Sequence, residues 1–422
     1  MIGAVFLSLW GAVATVAPAE PSDYPYSNPY YATVVGTPEP LMAKVSEKIP
    51  LKKRRLDRLE GRVIPDALWY GERLDYSYAK QKNAAPLIFV IAGTGAANNS
   101  TKNQFLMRAF YDAGFHVIGL TSPTYPTFLI SSSRSMVPGD QRGDAQDLYD
   151  VMQRIWAEIG PKMKVTSFYL TGYSLGGTNA AFVSMLDEER KVFNFEKVLL
   201  LNPSVNLYNS ISKLDRFLEN IPGGIDNFNR MFRRIVDRLG AEYQKSTTVT
   251  FSPDLVFEAF KDDPPRDEEL AALIGISFRL SASALIFTSD VMTNYGYIKP
   301  ANMVLTRNTT LEDFVQVSLR VGFTDFFHEY AWPYYEQRKL TTAKNRFEFA
   351  QLQSLTSIQD YLLAARKIGV SHNADDVILS PGEVDFLVNT FDERAKIYPA
   401  GGHLGNLQHH QTTAYIVNYF KR

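Results

Sequence analysis

The chain has 422 residues, of which 45% are hydrophobic and 13% aromatic, so it is long and apolar enough to bury a large core. The formal net charge of −1 provides no basic excess, which argues against nucleic acid as the main partner. The absence of cysteine excludes disulfides, thiolate nucleophiles, cysteine metal ligands and lipid attachment through a cysteine.

The N-terminus carries an uncharged, mostly apolar run, IGAVFLSLWGAVATVA at residues 2–17, which leads into Ala17-Pro18-Ala19. An apolar core before Ala-x-Ala is typical of a secretory signal peptide. We therefore predict a signal peptide at 1–19 and a secreted or periplasmic protein. No Lys or Arg precedes the run, so a retained membrane anchor and a buried N-terminal segment are the alternatives.

Residues 20–84 are predicted to form an extended segment packed on the core. The stretch 20–40 contains five prolines and four tyrosines, and tyrosines favour packing over free movement. The basic run KKRRLDR at 52–58 is interpreted as a solvated surface. Peripheral contact with anionic lipid head groups is the alternative for this run.

A regular alternation of strands and helices begins at residue 86. Apolar runs that are typical of buried strands alternate with segments that have helical spacing, and this order predicts a doubly wound, mostly parallel α/β sheet. The predicted strands are PLIFVIAG (86–93), FHVIGLTSP (115–123), VTSFYL (165–170) and FEKVLLLNPS (195–204). The helix that begins near Asp144 has one apolar stripe, made of Leu148, Val151, Met152, Ile155 and Ile159.

The pattern changes to mainly helical between residues 205 and 360, and it returns to strand-and-loop units at 361–422. We predict one α/β core, built from 85–204 and 361–422, with a helical cap inserted at 205–360. The insertion is rich in aromatic residues, as in VGFTDFFHEYAWPYYEQ at 321–337. These side chains either form the cap's own core or line an apolar cleft for an acyl chain.

The third predicted strand runs directly into Gly172-Tyr173-Ser174-Leu175-Gly176, and a helix follows. A serine on so sharp a turn has a strained backbone, and side chains two positions before and after it would clash, which glycines avoid. The turn also places the hydroxyl at a helix N-terminus, where N–H groups face developing negative charge. Ser174 is therefore the candidate nucleophile.

A serine nucleophile needs a base, and the base needs an acid that orients it. His403 lies in the glycine-rich loop YPAGGHLG before the last helix, and His372 lies close to Asp375 and Asp376 at a predicted strand end. The other histidines are predicted to be structural or on the surface: His116 in a buried strand, His328 in the insertion, and His409 and His410 on a polar face of the final helix.

The order of these motifs resembles the α/β-hydrolase superfamily, in which G-x-S-x-G, a late acid and a histidine loop follow one another. The resemblance implies Ser174 as nucleophile, His403 as base and Asp376 as acid, with Asp375 as the second candidate. In HNADDVILSP, Asn373 takes the place of the family's usual glycine, and the proline comes one residue late.

The same resemblance implies an oxyanion hole made of backbone N–H groups. One donor would be Leu175, directly after the nucleophile. The other would be Thr94 or Gly95 in the loop IAGTGAANNS, where Ala92-Gly93 replaces the family's usual His-Gly. A backbone donor does not depend on that histidine side chain.

These features predict a serine esterase that resembles lipases and acts on a lipid-like or other apolar carboxylic ester. Peptidase or thioesterase activity on the same residues is one alternative. A catalytically silent protein that holds an envelope lipid or a partner in the cleft is the other. The sequence contains no phosphate-binding glycine loop and no local cluster of metal ligands, so we expect neither a cofactor nor a metal.

Overall fold

The computed structural model describes residues 23–219 and 265–422. The predicted signal peptide at 1–19 lies outside the described residues, as does the part of the insertion from 220 to 264. Elements are numbered over the described residues.

Eight strands form one sheet in the order β1-β2-β4-β3-β5-β6-β7-β8. The pairs on either side of β2 are antiparallel, and all other neighbours are parallel. The predicted doubly wound, mostly parallel sheet is therefore confirmed. The strands are β1 Lys52–Asp57, β2 Arg73–Ala79, β3 Ala85–Ile91, β4 His116–Leu120, β5 Val165–Tyr173, β6 Lys197–Leu201, β7 Ile368–Asn373 and β8 Ala395–Tyr398.

The helices connect the strands and fill the insertion. They are α1 Pro29–Val35, α2 Thr101–Asp112, α3 Pro126–Ser131, α4 Gln141–Ile159, α5 Leu175–Arg190, α6 Leu207–Glu219, α7 Asp267–Thr293, α8 Glu312–Ser318, α9 Phe323–Asp325, α10 Trp332–Gln337, α11 Arg346–Leu352, α12 Gln359–Ala364, α13 Glu383–Phe391 and α14 His410–Lys421. A π-helical turn, Phe326–Ala331, joins α9 to α10. Short 3-10 helices are Glu39–Leu41, Asp66–Gly71, Gly160–Lys162, Leu355–Ile358 and Asp392–Arg394.

The sheet is covered on both faces, as the side-chain alternation of a strand requires. Leu87, Phe89 and Ile91 of β3 belong to a core cluster that includes the apolar stripe of α4. Ile88 and Val90 belong to a second cluster, with residues of α2 and α14. All five predicted stripe residues of α4 are buried.

The prediction for residues 20–84 is wrong in one respect, because the sheet begins within this segment. The strand β1 pairs with β2, and β2 pairs with β4, so both lie at one edge of the sheet rather than on its surface. The basic run forms the edge strand β1, in which five of six residues are exposed. An exposed edge strand lacks the alternation of apolar and polar residues that identifies a strand, and Lys and Arg protect such an edge from pairing with other chains.

The segment 205–360 joins β6 to β7, and its described helices share a core cluster with Leu68, Leu129 and Ile130 of the preceding part of the chain. Tyr330, Trp332, Tyr334 and Tyr335 are buried in that cluster. Among the described helices, α7 alone is long and apolar enough to cross a membrane by length and composition, and most of its apolar window is buried within the protein.

Candidate active site

Ser174 stands between the end of β5 and the start of α5. Its φ of 55° and ψ of −130° lie outside the regions that a non-glycine residue adopts freely. Such a conformation costs roughly 1–3 kcal/mol and persists only where the surroundings enforce it. The serine N–H donates to the carbonyl of Leu201 on β6 at 2.9 Å, which anchors the turn to the sheet.

The two glycines of the motif are required by close backbone approach. A Cβ on Gly172 would lie 2.1 Å from the carbonyl oxygen of Gly176, and a Cβ on Gly176 would lie 2.3 Å from the carbonyl oxygen of Ile91. Both clashes are with backbone, which cannot move aside as a flexible side chain can. The clash predicted on either side of the serine is therefore present in the fold.

The structure brings Ser174, His403 and Asp376 together in one hydrogen-bonded line. Ser174 Oγ lies 2.9 Å from His403 Nε2, and His403 Nδ1 lies 3.0 Å from Asp376 Oδ2 and 3.1 Å from its Oδ1. All three side chains are buried. Because a carboxylate only accepts hydrogen bonds, Nδ1 carries the proton and Nε2 is left as the acceptor of the serine proton.

Asp376 is held as a carboxylate by its neighbours. Burial acts to raise its pKa, but the charge and the hydrogen bond of His403, with smaller contributions from His372 and Asn202, keep the pKa below its usual value. Asn202 Nδ2 donates to Oδ2 at 2.9 Å, and the N–H of Ile378 donates to Oδ1 at 3.1 Å.

Asp375, the second candidate for the acid, does not contact the imidazole of His403. Its carboxylate accepts the N–H groups of Gly401 at 3.1 Å and Gly402 at 2.9 Å. Burial raises the pKa of Asp375, whereas these two hydrogen bonds lower it. The carboxylate of Asp375 therefore fixes the loop that carries His403, and Asp376 is the residue that faces the imidazole.

The turn after β3 supplies one backbone N–H beside the serine. Gly95 is not available as a donor, because its N–H already donates to Thr124 Oγ1 at 2.8 Å. Within residues 23–219 and 265–422, the N–H groups of Thr94 and Leu175 donate to no protein acceptor, and both residues line the cleft beside Ser174. The candidate oxyanion donors that remain are therefore Thr94 and Leu175.

The loop that carries His403 is braced by residues that the sequence did not identify. Asn373 donates to the carbonyl of Gly402 at 2.7 Å and exchanges side-chain hydrogen bonds with Asn406. The side chain of Asn373, at the position where the sequence motif led us to expect glycine, therefore fixes this loop. Thr33 Oγ1 of α1 accepts the N–H of His403 at 2.8 Å.

Contacts between the N-terminal segment 23–43 and the loop 401–409 continue beyond Thr33. Thr37 donates its hydroxyl to the carbonyl of Gly405 at 2.8 Å, and the N–H of Ala43 donates to the carbonyl of Gln408 at 2.8 Å. A Cβ on Gly402 would lie 2.2 Å from the carbonyl oxygen of Pro29, so the two segments approach closely. The N-terminal segment thus forms one wall of the histidine loop.

The remaining histidines lie outside the line of proton transfer. The ring of His372 is fully buried, and its Nε2 lies 3.1 Å from the carbonyl of Pro203. His116 Nδ1 accepts the N–H of Gln81 at 2.9 Å, and His328 pairs with Tyr208 at 2.8 Å. The prediction that His409 lies on a polar face is wrong, because its side chain is buried at the start of α14.

Two clefts meet at Ser174. Phenylalanine and aliphatic residues from the insertion dominate the lining of the first cleft. The phenylalanines of this cleft are Phe278, Phe323, Phe326, Phe327 and Phe349. The second cleft is more polar and includes His403, Ser100, Lys102, Tyr173 and Ser277.

Thr94, Ser174 and Phe278 line both clefts, so Ser174 stands at their junction. The insertion aromatics that line the first cleft, such as Phe326 and Phe349, belong to the same core cluster as the buried Tyr330 and Trp332.

The clefts contain no recognisable metal centre. Among the described residues, one group of at least three histidine or carboxylate side chains lies within ligand distance, and it consists of Asp23, His409 and His410. None of these three lines either cleft.

No protein-family model and no curated protein matches the sequence. Solved structures resemble it at low identity. A thioesterase domain from the curacin biosynthetic pathway is 11% identical, and the match covers 88% of this chain and 100% of that chain with a TM-score of 0.40.

A bacterial membrane phospholipase A is 12% identical, with 88% and 86% covered and a TM-score of 0.42. An esterase of Pyrococcus furiosus is 9% identical, with 90% and 98% covered and a TM-score of 0.40. TM-scores near 0.4 carry no weight for function, so the chemistry of this chain has to be derived from its own residues.

Proposed function

We propose that this chain is a serine hydrolase that cleaves a carboxylic ester with an apolar acyl chain. Its strand order, the turn at Ser174 and the chain order of the triad Ser174, Asp376 and His403 are those of an α/β-hydrolase. The observation that carries the proposal is the hydrogen-bonded line from Ser174 through His403 to Asp376. The strained backbone of the serine supports it, because such strain concentrates at functional sites.

The reaction proceeds through an acyl-enzyme. Ser174 Oγ attacks the ester carbonyl carbon while His403 Nε2 takes the hydroxyl proton, and the imidazolium then gives that proton to the departing alcohol. Water, deprotonated by the same imidazole, attacks the acyl carbon, and the imidazolium returns that proton to Ser174 Oγ as the acid leaves. The N–H groups of Thr94 and Leu175 face the developing oxyanion, and each donor of this kind contributes about 3 kcal/mol to the transition state.

The two clefts support a division of the substrate at Ser174. The acyl chain fits the first cleft, where Leu207, Ile211 and Phe326 exclude water, because apolar contact is what such a lining offers. The alcohol fits the second, more polar cleft. A thioester with the same acyl chain would fit equally well, whereas the first cleft offers few hydrogen-bonding partners for a peptide backbone.

A fluorophosphonate probe tests the catalytic part of the proposal. The protein should be labelled at Ser174, and Ser174→Ala should remove the labelling. A catalytically silent lipid-binding protein would show no serine-specific labelling, and that result would overturn the proposal.

The substrate class is tested with p-nitrophenyl esters from acetate to dodecanoate. We expect kcat/KM to rise with chain length, because each buried methylene stabilises the bound state by about 0.8 kcal/mol. Ile211→Trp should fill the first cleft and lower kcat/KM for long esters while sparing the acetate. Leu280→Trp is the matched control, because Leu280 is 55% exposed and lies outside both clefts. Equal rates for short and long esters would contradict an acyl cleft.

A further inference from the structure

Three side chains from the two ends of the chain meet away from the catalytic serine. Asp23 precedes α1, and His409 and His410 stand at the first turn of α14. Asp23 Oδ1 lies 3.2 Å from His409 Nε2, and Asp23 Oδ2 lies 3.0 Å from His410 Nε2. Each carboxylate oxygen therefore faces a ring nitrogen of a different histidine.

The environment of His409 favours a bound ligand. Its side chain is buried, with a residue exposure of 0%. Among the described residues, no group forms a hydrogen bond with either of its ring nitrogens. Asp23 Oδ1 is close to Nε2 but does not satisfy the geometry of a hydrogen bond. A buried polar group without a partner costs about 1–3 kcal/mol, so a third atom that binds this nitrogen would remove a penalty.

The spacing of the three groups matches a transition-metal site. Zinc binds histidine nitrogen at about 2.0–2.1 Å and carboxylate oxygen at about 2.0–2.2 Å in tetrahedral geometry, which puts neighbouring ligand atoms roughly 3.3 Å apart. The observed separations of 3.2 and 3.0 Å are close to that value. The rings of His409 and His410 have centroids 4.4 Å apart, and the ligand atoms of all three side chains lie within 4.8 Å of one another.

We propose that Asp23, His409 and His410 bind one divalent transition-metal ion of the zinc class, with water completing its coordination. Two imidazoles and a carboxylate suit such an ion, whereas calcium and magnesium prefer oxygen-only ligands. The sequence alone predicts no metal here, because Asp23 lies 386 residues before His409 along the chain.

The metal would fasten the segment 23–43 to the loop 401–409. These two segments already meet at Thr33 and His403, at Thr37 and Gly405, and at Met42 and His409. The ion is therefore structural: it touches none of the reacting atoms, and it holds the wall of the histidine loop at its outer end.

Calorimetric titration of the tag-free, chelator-treated protein with ZnCl₂ tests the site. We expect one ion per chain and a rise in Tm of about 2–5 °C at saturating zinc. His410→Gln and Asp23→Asn should each remove this binding, and both positions are exposed enough for the variants to fold. His328→Gln is the matched control, since that histidine lies in the insertion beside Tyr208, and it should retain one ion per chain.

Two further results separate this site from adventitious binding. Cobalt(II) should give visible absorption bands of a four-coordinate nitrogen and oxygen site, and these should vanish in His410→Gln. Zinc should also slow amide exchange in residues 23–43. The proposal is overturned if the protein binds no zinc, or if His410→Gln and Asp23→Asn both bind it as the native protein does. Fluorophosphonate labelling of Ser174 remains a separate measurement, so failure of either idea leaves the other standing.

Discussion

Replacing Asp376 by asparagine removes one charge from the site at nearly constant shape. In the proposed reaction His403 becomes an imidazolium, whose Nδ1 lies 3.0 Å from the carboxylate. Two unit charges at that distance attract by about 5.5 kcal/mol at an effective dielectric constant of about 20. Since each 1.36 kcal/mol in the barrier changes the rate tenfold, Asp376→Asn should lower kcat by about four orders of magnitude.

Asp375→Asn is the matched control for this prediction. It changes the neighbouring carboxylate in the same way, but Asp375 holds the backbone of Gly401 and Gly402 and does not face the imidazole. One of its two hydrogen bonds is lost, so we expect at most about a tenfold fall in kcat. Both variants are assayed by steady-state hydrolysis of p-nitrophenyl butyrate and by the rate of fluorophosphonate labelling.

Two outcomes would contradict this role of Asp376. If Asp376→Asn keeps kcat within tenfold of the native value, the carboxylate does not stabilise the imidazolium. If Asp375→Asn instead loses four orders of magnitude in kcat, Asp375 rather than Asp376 is the residue that stabilises the imidazolium.

Three further predictions concern stability and the oxyanion turn. The folded-state pKa of Asp376 lies below its ordinary value, so ionisation of this carboxyl stabilises the fold above about pH 4, and the contribution disappears as the pH falls through the folded-state pKa. In thermal scans, the Tm advantage of the native protein over Asp376→Asn should therefore shrink from pH 6 to pH 3. A constant difference in Tm would contradict the lowered pKa. Gly172→Ala should lower the free energy of unfolding by at least about 3 kcal/mol in urea titrations, because the added Cβ would lie 2.1 Å from a backbone oxygen. Gly61→Ala is the control: Gly61 has a φ of 71° and open space around it, so we expect a loss of about 1 kcal/mol. Equal losses in the two variants would contradict the clash at Gly172. Thr124→Val removes the acceptor of the Gly95 N–H and should lower kcat about tenfold with KM unchanged; an unaffected kcat would show that this hydrogen bond does not position the turn.

The parts of the fold that were predicted from the sequence are those with strong local patterns. The buried strand β3 is a continuous apolar run, and α4 carries its apolar residues on one face. The edge strand β1 has no such pattern, since its basic residues face solvent. The strand β2 could have been predicted, because its large apolar residues Leu74, Tyr76 and Tyr78 occupy every second position, and all three are buried.

The same distinction holds for the candidate site: residues marked by a local sequence pattern were predicted, and residues that act through long-range contacts were not. Ser174 and His403 stand in loops whose glycines mark them. The choice between Asp375 and Asp376 depends on the direction of two neighbouring side chains, which no sequence pattern specifies. Asn202 and Thr33 reach the triad across 174 and 370 residues of chain, and such contacts arise only when the sheet is assembled.

The contacts between residues 23–43 and the loop 401–409 also fix the order in which the molecule can be completed. Synthesis runs from the N-terminus, so Thr33 and Thr37 leave the ribosome long before Gly402, His403 and Gly405 exist. Contacts between such distant segments close a long loop at a cost in chain entropy, so we expect them to form late in folding, and they include the contact that holds the backbone of His403.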